Sequence, residues 1–508
     1  MQIVIPMAGK SQRFFDVGYN QPKCLIEFFG LPMIGHILNS FKNFIDVLVI
    51  VNEEDYVKFD LNTVVSGLHK TAKVVKIKQH SLGPSYSILK SSEFINLSKK
   101  IIVHYCDFSG AWDPYDTINL LNTYDGVFVS FTGFHPSRIN GTKFAYGRAN
   151  NEKSLLEIRE KGSFTARPED EYASSGIYGF STGNLMLESI VEQVNLKLQI
   201  NGEFYTSLTH EVMLRNNKKI TIQNMNLFYA WGTPEDLENY IYYMSICKNI
   251  NEFADQNTPI INHSGVILAA GKSSRLRLTG EKPKQSKLFA GKNILMDFSK
   301  KLILQKSNTY LVATSEIYSK NIWNLPDTNL EILTHASESQ IATVQIGLEL
   351  VKDREIPITF LASDNIMFFE DEKQLESIIS TADMLVWTCG NYPFAKVYPE
   401  QYSWVKINDD NTIESAVYKE SPKELRNWKL ITGNFTFRNH SIVSTLIKGL
   451  ESQIGSLQRE PILDDLVGVA LTMGYNVRAF DVSKYITLGS HLENKMFDYY
   501  NEIYNYEY

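Results

Sequence analysis

Residues 3 to 14 read IVIPMAGKSQRF, and residues 265 to 276 read GVILAAGKSSRL. Each is an apolar, strand-like run that breaks into Ala, Gly, Lys and Ser and then reaches an Arg. Ala8 pairs with Ala270, Gly9 with Gly271 and Arg13 with Arg275, all 262 positions apart. Asp107 pairs with Asp364, Gly176 with Gly433 and Glu203 with Glu460, each 257 apart. Ordered matches whose offset drifts so little describe a duplication, with units of roughly 250 residues, too long for a solenoid, so each unit should own a full core.

Both copies alternate strand-like and helix-like runs. In the first, IVIPM, VLVIVN and KIIVHYC alternate with PMIGHILNSF and GPSYSILKSSEF; in the second, GVILAA, TYLVATS and ITFLAS alternate with ILMDFSKKLI and ATVQIGLELVK. This predicts an α/β fold whose sheet is mostly parallel, with helices on both faces. Ligands of such sheets sit at the carboxyl ends of the strands, where both Gly loops and both Asp107 and Asp364 fall. The aromatic-rich helices EDLENYIYYMSI and SHLENKMFDYYNEI close the two copies. The expected domains are 1–246 and 263–508, joined by a polar linker over 247–262 that contains Pro259, and each should fold alone.

Apolar residues make up 44% of the 508 and charged residues 21%, an ordinary globular balance, and the net charge of −7 without a Lys/Arg block argues against a nucleic-acid partner. Cys24, Cys106, Cys247 and Cys389 are scattered, as expected of reduced thiols in a cytoplasmic protein. No apolar run reaches the length of a membrane span, and the chain enters a strand without a secretory signal. Self-association is compatible with this composition.

Gly-Lys-Ser at 9–11 and 271–273 is not a Walker A loop, because Val4 and Val266 stand where that loop needs its first Gly. No GxGxxG follows a strand either. What remains is a strand, Ala-Gly-x-Ser-x-Arg, then Pro22-Lys23 or Pro283-Lys284, with Gly30 and Gly291 seven residues after each Lys. A Gly-rich turn at a strand end can turn its N–H groups to phosphate oxygens.

This arrangement resembles the nucleotidyltransferases that join a nucleoside triphosphate to a sugar 1-phosphate or similar phosphomonoester, with their LAGGxGxRL and PKxLxxxxGKPM segments. The resemblance covers nearly the whole chain, as two Rossmann-like, glycosyltransferase-A-like modules. QHSLGPSYSIL at 79–89 resembles the base- and ribose-binding segment, with Gln79 and Gly83, and HYCDF at 104–108 resembles the strand-end Gly-Asp that binds magnesium, with Cys106 in place of Gly. FAYGR, EIREK, SSGIYGF, NGEFYTSL and WGTPEDLENY follow in the family's order. The resemblance implies that Ala8, Gly9, Lys10 and Ser11 cradle the triphosphate with Arg13, that Lys23 reaches the α-phosphate or acceptor phosphate, and that Asp107 carries Mg2+. Gly147, Glu160, Lys161 and Glu203 then line the acceptor side. The partners so implied are CTP, UTP, GTP or dTTP and a small phosphomonoester, and the product an activated precursor for surface or capsular polysaccharide.

The second copy keeps Ala270, Gly271, Lys272, Ser273, Arg275, Lys284 and Asp364, and YSWVKINDDNTIESAVYKE places Lys419 at the acceptor-side Lys. Its loop resembles the branch that transfers cytidylyl groups to phosphocholine-like or phosphoglycerol-like acceptors. Its SQIATVQIGL segment departs from the base-binding pattern. Two readings stay open for this copy, a second transferase site and a non-catalytic nucleotide-binding scaffold. The family's second magnesium Asp, two residues before a late Gly, is replaced by Ala230 and Thr487, and the loop's second Gly by Ser11 and Ser273.

Overall fold

In the computed structural model, which describes residues 1–139, 141–253, 263–271, 309–315, 328–453 and 459–507, the two apolar runs that open the copies are inner strands of two sheets. In the first, β1 (Gln2–Met7) pairs in parallel with β2 (Val47–Asn52) on one side and β4 (Ile101–His104) on the other, and β2 pairs with β3 (Ala72–Ile77). β1, β2 and β4 are buried at every residue. With both faces covered they read as near-continuous apolar runs, with Gln2, Asn52 and His104 at their ends. Pro6 is tolerated inside β1 because the ladder to β4 ends at Val4, so a residue without an N–H interrupts no bond there.

Beyond β4 come β5 (Phe108–Gly110), β6 (Gly126–Phe131), β7 (Ala145–Ala149), β8 (Leu155–Glu160), β9 (Tyr172–Phe180), β10 (Ile220–Asn224) and β11 (Phe228–Ala230). Across the sheet the order is β3-β2-β1-β4-β9-β6-β10, the β7–β8 hairpin pairs with the start of β9, and β5 and β11 form a separate ribbon. The second copy contains β12 (Ser264–Ala269), β13 (Thr309–Thr314), β14 (Thr328–Leu333), β15 (Ile358–Ala362), β16 (Asn365–Phe368), β17 (Met384–Cys389), β18 (Trp404–Ile407), β19 (Ile413–Val417), β20 (Trp428–Phe437), β21 (Val477–Asp481) and β22 (Lys484–Thr487). Its order is β14-β13-β12-β15-β20-β17-β21, with β18–β19 on β20 and a β16–β22 ribbon. Strand for strand, this is the topology of the first copy.

The repeat extends to a defect. β9 slips register against β6 between Ser174 and Ile177, and β20 slips against β17 between Val386 and Thr388. Gly176 (φ 93°) and Gly433 (φ 82°) supply the left-handed backbone these bulges need. A side chain at Gly176 would also meet the Phe108 ring at 2.8 Å. The bulge therefore lets β9 approach the turn that carries Asp107.

The helices that matter for the site are α1 (Gln12–Asp16), α2 (Pro84–Lys90), α3 (Thr206–Arg215), α4 (Pro234–Phe253), α5 (Asp465–Thr472) and α6 (His491–Glu507). Each copy has its own core, around Val4, Leu48, Val103 and Phe128 in the first and Val266, Val312, Phe360 and Val386 in the second. By contacts the chain divides into Met1–Ile241 with Tyr499–Tyr508, and Tyr242–Asp498. The boundaries thus fall inside the closing helices. Within the first unit Tyr499 donates its hydroxyl to the carbonyl of Phe228, and Tyr229 bonds Glu507. Within the second, the Tyr242 hydroxyl donates to Tyr485 O and accepts from Tyr485 N. α4 also runs on through Phe253, into the stretch assigned to the linker, because Cys247 and Ile250 are buried and extend its apolar stripe. The rest of that stretch, 254–262, lies outside the described residues. No described helix is long and apolar enough to cross a membrane.

Candidate functional site

At the end of β1 the chain turns sharply, with Ala8 buried and Gly9 and Lys10 exposed. Ser11 precedes α1 with a left-handed backbone, φ 53°. A non-glycine residue there costs about 1 kcal/mol. The hydroxyl offsets this by accepting a hydrogen bond from the backbone N–H of Lys23 at 3.1 Å, which ties the loop to the Pro-Lys segment. The serine in place of the family's glycine thus has a structural use. Arg13 follows on α1, exposed and without an ion pair among the described residues.

Lys23 Nζ donates to Asp107 Oδ2 at 2.5 Å, although 84 residues separate them. Both side chains are about one quarter exposed, so the pair opens to solvent. Burial opposes the Lys23 charge, but Asp107 outweighs it and holds the ammonium above its ordinary value. The neighbours carry no competing charge: burial pushes the Cys106 thiol up to about 11 and the His104 imidazole down to about 4. Asp107 is fixed through its own carbonyl, which accepts from Trp231 N at 2.7 Å. Gly232 then passes so close that a Cβ there would lie 3.1 Å from Asp107 Oδ2.

The second copy rebuilds this detail. Leu488 N donates to Asp364 O at 2.7 Å, and a Cβ on Gly489 would lie 3.1 Å from Asp364 Oδ2 and 3.7 Å from Glu493 Oε2. Thr487, at the position of the absent second Asp, has its hydroxyl turned to the N–H of Gly489 at 3.2 Å. Ala270 is buried, and its carbonyl accepts from Ser337 N at 3.2 Å; Gly271 is exposed. Lys272, Ser273, Arg275 and Lys284 lie outside the described residues.

On the acceptor side of the first copy, Glu160 ends β8 and accepts a hydrogen bond from the Ser207 hydroxyl on α3. Burial raises the Glu160 carboxyl above its ordinary value, against the lowering effects of Ser207 and Lys161. Lys161 has a left-handed backbone, φ 56°, and reaches the Tyr205 hydroxyl at 2.8 Å. Lys419 repeats the conformation at φ 54° and donates to Gln401 O at 3.0 Å. Glu203 stands next to Gly83, which has φ 85° and whose added Cβ would meet Phe204 N at 2.9 Å and Glu203 Cβ at 3.1 Å. The start of α2 and the start of α3 are therefore pinned together, a contact reinforced by Ser85 N to Phe204 O at 3.0 Å. Gln79 lies just before α2 and is exposed. Gly147 faces inward: a Cβ would strike Leu155 at 2.8 Å and Phe128 at 3.3 Å, both core residues.

Two features were not among the residues singled out by sequence. Gly232 and Gly489 were visible only as markers for a missing Asp, yet they are what closes over each carboxylate. Ser207 sat inside NGEFYTSL without a signal that its hydroxyl would meet Glu160.

Residues 264–485 match the family model described as nucleotidyl transferase, and residues 3–110 match the MobA-like NTP transferase domain, whose match ends just beyond Asp107. The chain belongs to the nucleotidyltransferase family, with two copies of its domain in tandem. Among curated relatives of this tandem nucleotidyltransferase, the bifunctional protein GlmU of Methanococcus maripaludis strain C7 is 21% identical over 274 residues, covering 53% of this chain and 61% of that protein. GlmU of Methanococcus vannielii is 22% identical over 276 residues, with the same coverage. The chain thus spans about three fifths of the length of these relatives. A solved nucleoside-diphosphate-sugar pyrophosphorylase of Vibrio cholerae RC9 aligns with 47% of this chain and 99% of its own, at 20% identity and a TM-score of 0.41.

Proposed function

We propose that this tandem nucleotidyltransferase transfers a nucleotidyl group from a nucleoside triphosphate to a phosphomonoester at each of two sites. A phosphate oxygen of the acceptor forms a bond to the α-phosphorus, the bond from that phosphorus to the bridging oxygen breaks, and pyrophosphate leaves with the electron pair. The observation that carries the reading is the Lys23–Asp107 pair at the sheet mouth, 2.5 Å apart and closed over by Gly232.

The attacking phosphate is already an anion, so no side chain need remove a proton. The protein has to position and neutralise charge. Arg13, free of ion pairs among the described residues, is available for the leaving phosphates in two-pronged contacts. Lys23 supplies a fixed positive charge where the α-phosphate arrives, and Lys161 the same for the acceptor phosphate.

The donor set suits magnesium bound mainly by substrate. The described residues contain no cluster of three or more His, Cys, Asp or Glu, but Asp107 offers one hard carboxylate, and Gly232 leaves open beside it the space a Cβ would fill. Mg2+ is commonly held by one or two carboxylates together with substrate phosphates. Asp107, and Asp364 in the second copy, would hold it, and when bound it would supply charge neutralisation on the phosphates. The Asp364–Gly489 arrangement favours a working second site over a scaffold.

Such products are nucleotide-activated building blocks, here read as precursors for surface polysaccharide made in the cytoplasm. The test is pyrophosphate release by the whole chain with Mg2+, over the four common triphosphates and a panel of sugar, polyol and choline phosphates. At least one combination should turn over and stop on chelation. Silence across the panel, with nucleotide binding intact, would replace the enzyme by a nucleotide-binding scaffold. In the same assay Gly232→Ala should lower release from the first copy roughly tenfold, since its methyl crowds the carboxylate at 3.1 Å and pushes it off Lys23. Unchanged release from a variant of unchanged melting temperature would contradict that role.

A further inference from the structure

The closing helices of the two copies start alike and use their third residue differently. Asp236 and Glu493 are the third residues of α4 and α6, and they are 257 apart, as are Gly232 and Gly489. The N–H of each donates to the hydroxyl three residues before it, Asp236 to Thr233 at 3.2 Å and Glu493 to Ser490 at 3.3 Å. In the first copy both carboxylate oxygens are then bonded within the copy: Asp236 accepts from the Ser137 hydroxyl at 2.6 Å and from the Thr233 hydroxyl at 2.9 Å. Glu493 is one methylene longer. Tyr402 donates its hydroxyl to Oε1, and Oε2 turns toward Gly489.

Three oxygens meet over Gly489. The point where its Cβ would stand lies 3.1 Å from Asp364 Oδ2, 3.3 Å from Thr487 Oγ1 and 3.7 Å from Glu493 Oε2. The two carboxylate oxygens are therefore no farther apart than 3.1 Å and 3.7 Å laid end to end, a span that a metal ion and one of its waters can bridge. Over Gly232 the same point meets only Asp107 within 4 Å among the described residues. Neither glycine has a positive φ, so the backbone does not demand glycine at either position, and the missing side chain leaves room in front of the oxygens. Glu493 is 3% exposed. Two carboxylate oxygens facing one gap repel, and a cation between them turns that cost into binding. Thr487 holds the position of the absent second Asp, and Glu493 brings a carboxylate to the same gap from the helix instead.

We propose that Glu493 supplies a second magnesium carboxylate to the second copy, directly or through a metal-bound water, so that this site takes the divalent cation before any nucleotide. The first copy, with Asp107 alone, takes it only together with substrate phosphates. Asp364 follows β15 and Glu493 opens α6, so the ion would also tie the closing helix to the strand end. The assignment rests on Asp364 being the magnesium residue of the second copy.

The experiment is equilibrium dialysis of the full chain against Mn2+ alone, repeated with inorganic pyrophosphate on both sides of the membrane. Without pyrophosphate the unaltered chain should bind one Mn2+, and Asp107→Asn should bind it equally well. Glu493→Gln, which keeps an oxygen for Tyr402, should weaken that site at least about tenfold. Adding Thr487→Asp, which returns a carboxylate to the same gap, should restore it. Glu493→Asp, which installs the first copy's shorter residue, should weaken the site likewise and provides a second variant should Glu493→Gln melt early. An affinity untouched by both Glu493 substitutions but lost in Asp364→Asn overturns the proposal and leaves magnesium on Asp364. Binding that requires pyrophosphate, and then depends on Asp364 but not on Glu493, does the same. Mn2+ binding that is absent from both titrations, or indifferent to Asp364→Asn in both, removes the magnesium residue of the second copy and this proposal with it.

Discussion

Lys23→Ala should lower formation of the first copy's product by on the order of 10² to 10³ and leave the second copy's product unaffected. The ammonium is held charged by Asp107 at 2.5 Å, and its backbone N–H is fixed by Ser11, so the charge is in place before substrate arrives. Removing a preorganised charge loses stabilisation that no reorientation restores. Asp107→Ala should fail similarly, and also raise the magnesium concentration needed for half-maximal rate. Product-resolved chromatography of one reaction containing both acceptors separates the two sites. If the Lys23→Ala chain forms both products at the unaltered rates, the first site lies elsewhere. Melting should be little affected, because a partly exposed ion pair contributes only up to about 1 kcal/mol.

The second large effect is acid lability concentrated in the first unit. Burial holds the imidazoles of His104, His135 and His210 down to about 4, 3 and 3, far below the ordinary 6.5. They fold neutral and take up protons on unfolding. Stability from this source is complete above about pH 6.5 and declines as the pH falls from there toward 4 and 3, because only the unfolded chain gains protons in that window. At pH 4.5 each histidine should cost about 2 to 3 kcal/mol, a large share of a domain's stability. Glu160 and Asp236, raised by burial, act with opposite sign near their own range and offset part of this loss. All three histidines belong to the first unit. Hydrogen exchange at pH 7.5 and 4.5, after correction for intrinsic rates, should show residues 1–241 losing protection before the second unit. Equal protection of both units at pH 4.5 would refute the assignment.

The mostly parallel sheets were legible because strands buried on both faces read as near-continuous apolar runs, and β1, β2, β12 and β13, buried at every residue, do so apart from a polar residue at one or both ends. The strand-end positions of Asp107 and Asp364 followed from the same pattern. Three things were not legible, for a common reason: they depend on which atoms meet across long sequence separations. Gly232 gains its importance from a carboxylate 125 residues earlier, since 232 less 107 is 125. Gly147 lies in FAYGR as in the family pattern, but only the packing of Leu155 and Phe128 reveals that its missing side chain makes room for the core. The bond from Ser207 to Glu160 requires a β-hairpin and a helix to be seen together.

The first unit includes Tyr499 and Glu507, which bond Phe228 and Tyr229 within it. A ribosome that has finished Ile241 must still translate 242 to 498 before supplying them. At about 5 to 20 residues per second that is a delay of roughly ten to fifty seconds. During that interval the nascent first unit exposes the strand β11 that follows its late loop, with Phe228 and Tyr229 lacking their final partners. The order of synthesis thus leaves the older half of the chain waiting for the youngest, and makes early chain termination a hazard for the copy that was already fully translated.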